Sequence, residues 1–216
     1  MNIKLIIFDC DGVLVDSEPI SNKIFSLMLN EKGIDINTFH TEKLFKGKSM
    51  FDCRRIVEEK FKLKLTDRFI KEFRKRTFDA FRKDLKPIEG IKTSLDELNY
   101  HICVASSGPP QKIRLNLKIT NLLKYFGNNI FSATELKKGK PDPEIFLYAA
   151  AKMGIDRKNC VVVEDSIPGV EAGIAANMKV LFYTKSFQKN NFENIIYFNE
   201  MKNLPKLISD IEKNNI

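Results

Sequence analysis

Short apolar runs alternate with amphipathic stretches along this chain, and few folds accommodate that order. Lys4-Leu5-Ile6-Ile7-Phe8, His101 to Ser106, Ile130 to Ala133, Cys160 to Glu164 and Lys179 to Tyr183 are rich in β-branched and aromatic residues and read as buried strands. Ile195 to Phe198 reads as a weaker edge strand. Between them, Ile91 to Leu98, Gln111 to Tyr125, Glu144 to Met153, Val170 to Ala176 and Leu204 to Glu212 carry apolar residues at helical spacing. Strands without a polar face, joined by helix-length connections, require a parallel sheet covered on both sides. The expected class is α/β, with a Rossmann-like parallel sheet as the core.

Residues 18 to 86 interrupt the alternation with a long segment of helical period, predicted as three or four helices. Leu27, Ile56, Phe61, Phe69, Phe73 and Phe81 are its predicted core positions. Ser17 reads as an N-cap with Pro19 in the first turn, and Lys86-Pro87-Ile88-Glu89-Gly90 as a turn-rich return. The expected division is therefore a sheet core, 1–16 with 87–216, and an inserted helical subdomain, 17–86.

A length of 216 residues suits such a core with an insert, and 43% hydrophobic with 30% charged residues suits a folded chain. No apolar run approaches a membrane span, and Lys4, Asp9 and Asp11 break any signal-peptide pattern at the N-terminus. The four cysteines show no CxxC spacing, and Cys10, Cys103 and Cys160 lie in or beside strands, as buried reduced thiols do. A cytoplasmic location is expected. The net charge is +8, but the lysines interleave with acids and no nucleic-acid-binding motif stands out. The expected partner is a small anionic metabolite drawn in by the positive field, with no nucleic acid and no membrane, on a monomer or weak dimer.

The chemistry concentrates where strands end. Asp9 and Asp11 follow the first strand, and residues two apart in an extended chain project to one side. Open α/β sheets bind ligands at that end of their strands. Two such charges repel unless a cation or a proton sits between them, and Gly12 permits a tight turn beside them. Val104-Ala105-Ser106-Ser107-Gly108 ends the second strand in hydroxyls and backbone amides that can cradle phosphate oxygens, although Ser106 alone reads equally well as a helix cap. In Lys140-Pro141-Asp142-Pro143, Asp142 is predicted to cap a helix whose first residue is Pro143, while Lys140 supplies a cation for the carboxylates and a transferring phosphoryl group. Cys160-Val161-Val162-Val163-Glu164-Asp165-Ser166 is another strand ending in acids, and hard oxygen ligands from two strand ends suit Mg²⁺. Gly169, Gly173, Ala175 and Ala176 then form a small helix face for close packing.

FDCDGV, VASSGP, KKGKPDP and VVVEDSIPGVEAG, in this order, resemble the four motifs of the haloacid dehalogenase superfamily, and the inserted helices resemble the C1 cap of its β-phosphoglucomutase-like branch. The resemblance spans nearly the whole chain. It implies a Mg²⁺-dependent phosphatase in which Asp9 is the nucleophile, forming an aspartyl-phosphate, and Asp11 the general acid and base. It implies that Ser106, Ser107 and Lys140 hold the phosphoryl oxygens. Mg²⁺ would be bound by Asp9, Asp165 and the backbone carbonyl of Asp11, with Glu164 helping directly or through water.

The same resemblance assigns substrate choice to the cap. A mutase of this branch carries a histidine where this chain has Ser21, an arginine where it has Met50 and a phosphate-binding lysine where it has Pro109. Those departures favour a plain phosphatase, most similar to the 6-phosphogluconate phosphatase type, with Lys46, Lys48, Arg74 and Arg76 as candidates for meeting an acidic sugar phosphate. Phosphoglycolate phosphatase, the sugar-phosphate mutase and a catalytically idle binding protein of this fold stand as alternatives.

Overall fold

The computed structural model describes residues 1–45, 48–184, 192 and 195–213. Strand β1 (Leu5–Phe8) is followed by four helices, α1 (Glu18–Asn30), α2 (Thr38–Phe45), α3 (Met50–Phe61) and α4 (Asp67–Asp84). The alternation then resumes with α5 (Ile91–Glu97), β2 (His101–Ser106), α6 (Pro110–Ile119), α7 (Leu123–Phe126) and β3 (Ile130–Ser132). It ends with α8 (Glu144–Lys152), β4 (Cys160–Glu164), α9 (Ile167–Ala175), β5 (Lys179–Tyr183), β6 (Ile195–Phe198) and α10 (Leu204–Glu212). The strands form one six-stranded sheet of order β3-β2-β1-β4-β5-β6, parallel at every pairing. Central strands β1 and β4 are buried at every residue, as their unbroken apolar runs require, while edge strand β6 is only half-buried. On one face, Ile145, Phe146, Ala149 and Ala150 of α8 and Val170 and Ala172 of α9 pack on Leu5, Ile7, Cys103, Cys160, Val162 and Val180. All four cysteines are free and buried. Among the described residues, no helix is long and apolar enough to cross a membrane.

The chain divides into two compact units, 1–16 with 86–216 and 17–85. Lys86 therefore sides with the sheet unit instead of the helices, because its carbonyl accepts a hydrogen bond from the Asp16 amide (3.0 Å) where the chain returns. In the helical unit, Phe25 sits at the centre with Phe45, Phe69 and Phe73 edge-on around it, ring centroids 5.0, 6.1 and 5.2 Å away. Ile56 and Phe61 pack against this cluster, and Phe69 and Phe81 are buried. Leu27 is 48% exposed, contrary to expectation, because α1 turns Phe25, Met28 and Leu29 inward and position 27 falls outside that stripe.

Other local expectations shift for identifiable reasons. Ser17 occupies the N-cap position of α1 without making a side-chain cap bond. Helix α8 begins at Glu144 with Pro143 as its N-cap, and Asp142 serves it one residue earlier, accepting from the Glu144 amide at 3.0 Å. The predicted helix Gln111 to Tyr125 is two helices, because Asn121 adopts φ +59° after α6 and a short polar side chain tolerates that left-handed turn. Ala175 is exposed and does not join the packing face of α9.

Candidate active site

The register of the sheet brings the sequence motifs level. Phe8 of β1 stands opposite Val104 of β2 and Val163 of β4, and the Asp9 amide donates to the Val163 carbonyl at 3.0 Å. Asp9 thus leaves β1 beside the end of β4, where strand order reverses and sheets of this kind open a crevice. After Asp9 the chain doubles back: the Leu14 and Val15 amides donate to the Cys10 carbonyl, and Gly12 takes φ +84°. Gly12 is also needed for space, since a Cβ there would collide with the Asp165 carboxylate. Asp165, from the end of β4, therefore rests against the turn that carries Asp9 and Asp11.

Lys140, from the loop before α8, enters this crevice and donates to Asp9 Oδ1 (2.7 Å) and Glu164 Oε1 (2.5 Å), with the Phe146 ring 5.0 Å from its Nζ. The three side chains are 5%, 10% and 1% exposed in that order, so the ion pairs lie out of water. Burial pushes the Asp9 carboxyl up to about 7, with Glu164 and Asp11 adding to the rise against the opposing pull of Lys140. Burial alone would lower the Lys140 pKa, but the charges of Asp9 and Glu164 outweigh it and hold the ammonium charged.

Glu164 is held at both of its oxygens. Its Oε2 accepts from the Asp165 amide (2.8 Å), the Ser166 amide (2.8 Å) and Ser166 Oγ (3.0 Å), while Oε1 holds Lys140. Both oxygens are engaged by protein donors, and through Oε1 Glu164 orients Lys140. Gly169 makes this possible, because a Cβ at that position would occupy the space of the Glu164 carboxylate. The small face of α9 thus serves the site as well as the packing.

Ser106 is buried, and its Oγ accepts from the Gly108 amide at 3.2 Å. It does not cap α6, whose N-cap is Pro109. Ser132 Oγ donates to the Gly108 carbonyl (2.6 Å) and braces this loop, a contact that adjacency in sequence does not announce. Ser107 is exposed and not drawn into the cluster.

Lys112 is the site residue that motif reading missed. Its Nζ donates to Asp11 Oδ2 at 2.7 Å. Burial would depress the Lys112 pKa, yet the Asp11 charge and hydrogen bond raise it. The available signal was helical period: position 109 holds a proline, and one turn later α6 returns a lysine to the same end of the sheet.

Among the described residues, no three His, Cys, Asp or Glu side chains gather as a ready metal cage. Of the expected set, Asp11 was to offer its backbone carbonyl, and its carboxylate is held by Lys112, while Lys140 holds both Asp9 and Glu164. These donors fit a hard divalent cation. Four carboxylates face two ammonium groups here, and Asp9 and Asp165 flank one turn whose backbone carbonyls are further oxygen ligands. The charges of Glu164 and Asp11 add to the rise that burial gives Asp9.

In the helical unit, Arg76 is paired with Glu31 (2.6 Å) and Glu72 (2.9 Å). Arg74 is exposed and lines a hollow of about 610 Å³ with Met50, Phe51, Arg54, Asp67, Ile70 and Lys71. Lys48 is exposed beside Ser49, the N-cap of α3. Lys46 lies outside the described residues.

The chain is similar to known proteins. Residues 3–177 match the family model of haloacid dehalogenase-like hydrolases. The chain is 33% identical over 182 residues to a 6-phosphogluconate phosphatase of Escherichia coli, covering 84% of this chain and 82% of that protein. It is 28% identical over 190 residues to a phosphorylated carbohydrates phosphatase of Thermotoga maritima, covering 83% and 84%. A solved haloacid dehalogenase-like protein of unknown function from Agrobacterium tumefaciens superposes with a TM-score of 0.85 at 31% identity, over 97% of this chain and 99% of that one.

Proposed function

The chain belongs to the haloacid dehalogenase-like hydrolases as a phosphoric monoester hydrolase, and we propose that it hydrolyses small sugar or sugar-acid phosphates, 6-phosphogluconate among them, through a phosphoryl group carried on Asp9. The observation that carries this reading is the Asp9 carboxylate at a buried strand end, held by Lys140 at 2.7 Å, with Asp165 against the adjoining turn. An oxygen of Asp9 attacks phosphorus as the bond to the substrate oxygen breaks, and Asp11 gives that departing oxygen its proton. Asp11 then takes a proton from a water whose oxygen attacks the Asp9-bound phosphorus, releasing phosphate and restoring Asp9. Two covalent half-steps replace one difficult displacement. Ser106 and Lys140 hold the phosphoryl oxygens, and Glu164 keeps Lys140 in place.

Asp9, Asp165 and the backbone carbonyl of Asp11 would hold Mg²⁺. The chemistry a bound Mg²⁺ supplies is neutralisation of charge between the carboxylate and a phosphate dianion. Sugar phosphates are favoured by the relatives above, and an acidic sugar by basic residues of the helical unit, with Lys46, Lys48, Arg74 and Arg76 as the candidate selecting side chains. Four buried free thiols support a reducing compartment, the cytoplasm.

The test combines phosphate release from a panel of metabolites with chemical trapping. Asp11→Asn incubated with radiolabelled p-nitrophenyl phosphate, whose aryl oxide leaves with little help from an acid, should accumulate label that maps to Asp9, and Asp9→Asn should neither turn over nor label while keeping its circular dichroism. Label on another residue, or turnover surviving in Asp9→Asn, would sink this reading.

A further inference from the structure

Asp9 and Asp11 stand two residues apart, yet each is met by its own lysine, and the two lysines come from different connections of the sheet. Lys140 serves the nucleophile. Lys112 lies in the first turn of α6 and reaches Asp11 Oδ2 at 2.7 Å across 101 residues of sequence. One turn further along the same helix, Asn116 is fully buried and turns its Nδ2 toward Asp11 Oδ1 at 3.5 Å, the outer limit of a hydrogen bond. Its own Oδ1 has no partner among the described residues, a cost that an apolar residue would avoid. Positions i and i+4 of one helix thus address the two oxygens of one carboxylate. Gly108 is common to the group: a Cβ built there would lie 3.5 Å from Lys112 Cδ, 3.6 Å from Ser106 Oγ and 3.7 Å from Asp11 Oδ2. The phosphate-cradling loop and the Lys112–Asp11 pair therefore border the same spot.

We infer that Lys112 is a positioning residue for proton transfer, holding the Asp11 carboxyl group in the orientation from which it protonates the leaving oxygen. This rests on the reading of Asp11 as general acid. Without the Lys112 contact, the Asp11 carboxyl group loses the ammonium that fixes its Oδ2 while Lys140 still holds Asp9, so the nucleophile remains in place and the proton donor is less well oriented. The loss is then selective. An alkoxide leaves poorly unless it is protonated, whereas an aryl oxide leaves with little help.

The experiment measures release of the leaving alcohol in a single turnover, for an alkyl sugar phosphate and for p-nitrophenyl phosphate. Lys112→Ala and Lys112→Gln should slow the alkyl substrate about 10²-fold and the aryl substrate less than about threefold, with KM little changed and Lys112→Arg restoring most of the rate. Asp11→Ala, run alongside, should show the same selectivity more strongly. If Asp11→Ala is selective but the Lys112 variants slow both substrates equally, or raise only KM, Lys112 is a structural or phosphate-anchoring group and the inference is overturned. If Asp11→Ala slows both equally, the proton-donor reading of Asp11 falls first and the inference with it.

Discussion

Asp9 holds its proton up to about pH 7 when folded and releases it near 3.8 when unfolded. Between those values the folded state binds more protons, so the contribution of Asp9 to metal-free stability falls as pH rises through that interval. A divalent cation needs the carboxylate and must displace that proton. Thermal melts with and without Mg²⁺ should therefore show a small gain in Tm near pH 5 and the full gain above about pH 7. An equal gain at both pH values would mean that Asp9 is not a ligand.

The first turn of α9 shows how an element can serve a distant side chain. Ser166 caps it through the Gly169 amide (3.2 Å) and also donates its hydroxyl to Glu164 Oε2. Gly169, third in the helix, leaves the volume in which the Glu164 carboxylate sits. Gly169→Ala should displace Glu164 and loosen Lys140, lowering kcat and destabilising the fold by about 1–3 kcal/mol in urea titrations. Gly139→Ala is the matched control, since a Cβ there meets nothing within 4 Å. Loss of activity in both variants alike would dissociate Gly169 from the site.

Charge is unevenly shared over the molecule. Residues 17–85 hold seventeen Lys and Arg against eleven Asp and Glu, whereas the remainder holds nineteen against seventeen. Most of the net positive charge thus belongs to the helical unit, where many basic groups are already paired on the surface, as Arg54–Asp67 and Arg55–Glu59 are. Such pairs add little stability, but their surplus draws anions from solution. For an anionic sugar-acid phosphate, kcat/KM should fall severalfold between about 0.05 and about 0.5 M salt while kcat stays constant, and a neutral phosphotriester inhibitor should bind independently of salt. A salt-insensitive kcat/KM would remove steering from the account.

What could be read along the chain was whatever depends on neighbours in sequence. Each strand, the helical insert between β1 and β2, and the acids, hydroxyls and lysine of the four motifs follow from apolar periodicity and turn chemistry that act over a few residues. The partners of those groups did not follow. Glu164 resembles a metal ligand by adjacency to Asp165, and becomes the anchor of Lys140 because β4 and the loop before α8 converge. Lys112 is one lysine among many until the fold carries it to Asp11. The pairing of Arg76 with Glu31, 45 residues away, is likewise invisible along the chain. Leu27 is exposed because α1 presents a different stripe to its neighbours. Periodicity selects an element, but the free energy of a charge depends on what lies within a few ångströms of it, and that distance is set by chain segments brought together from far apart.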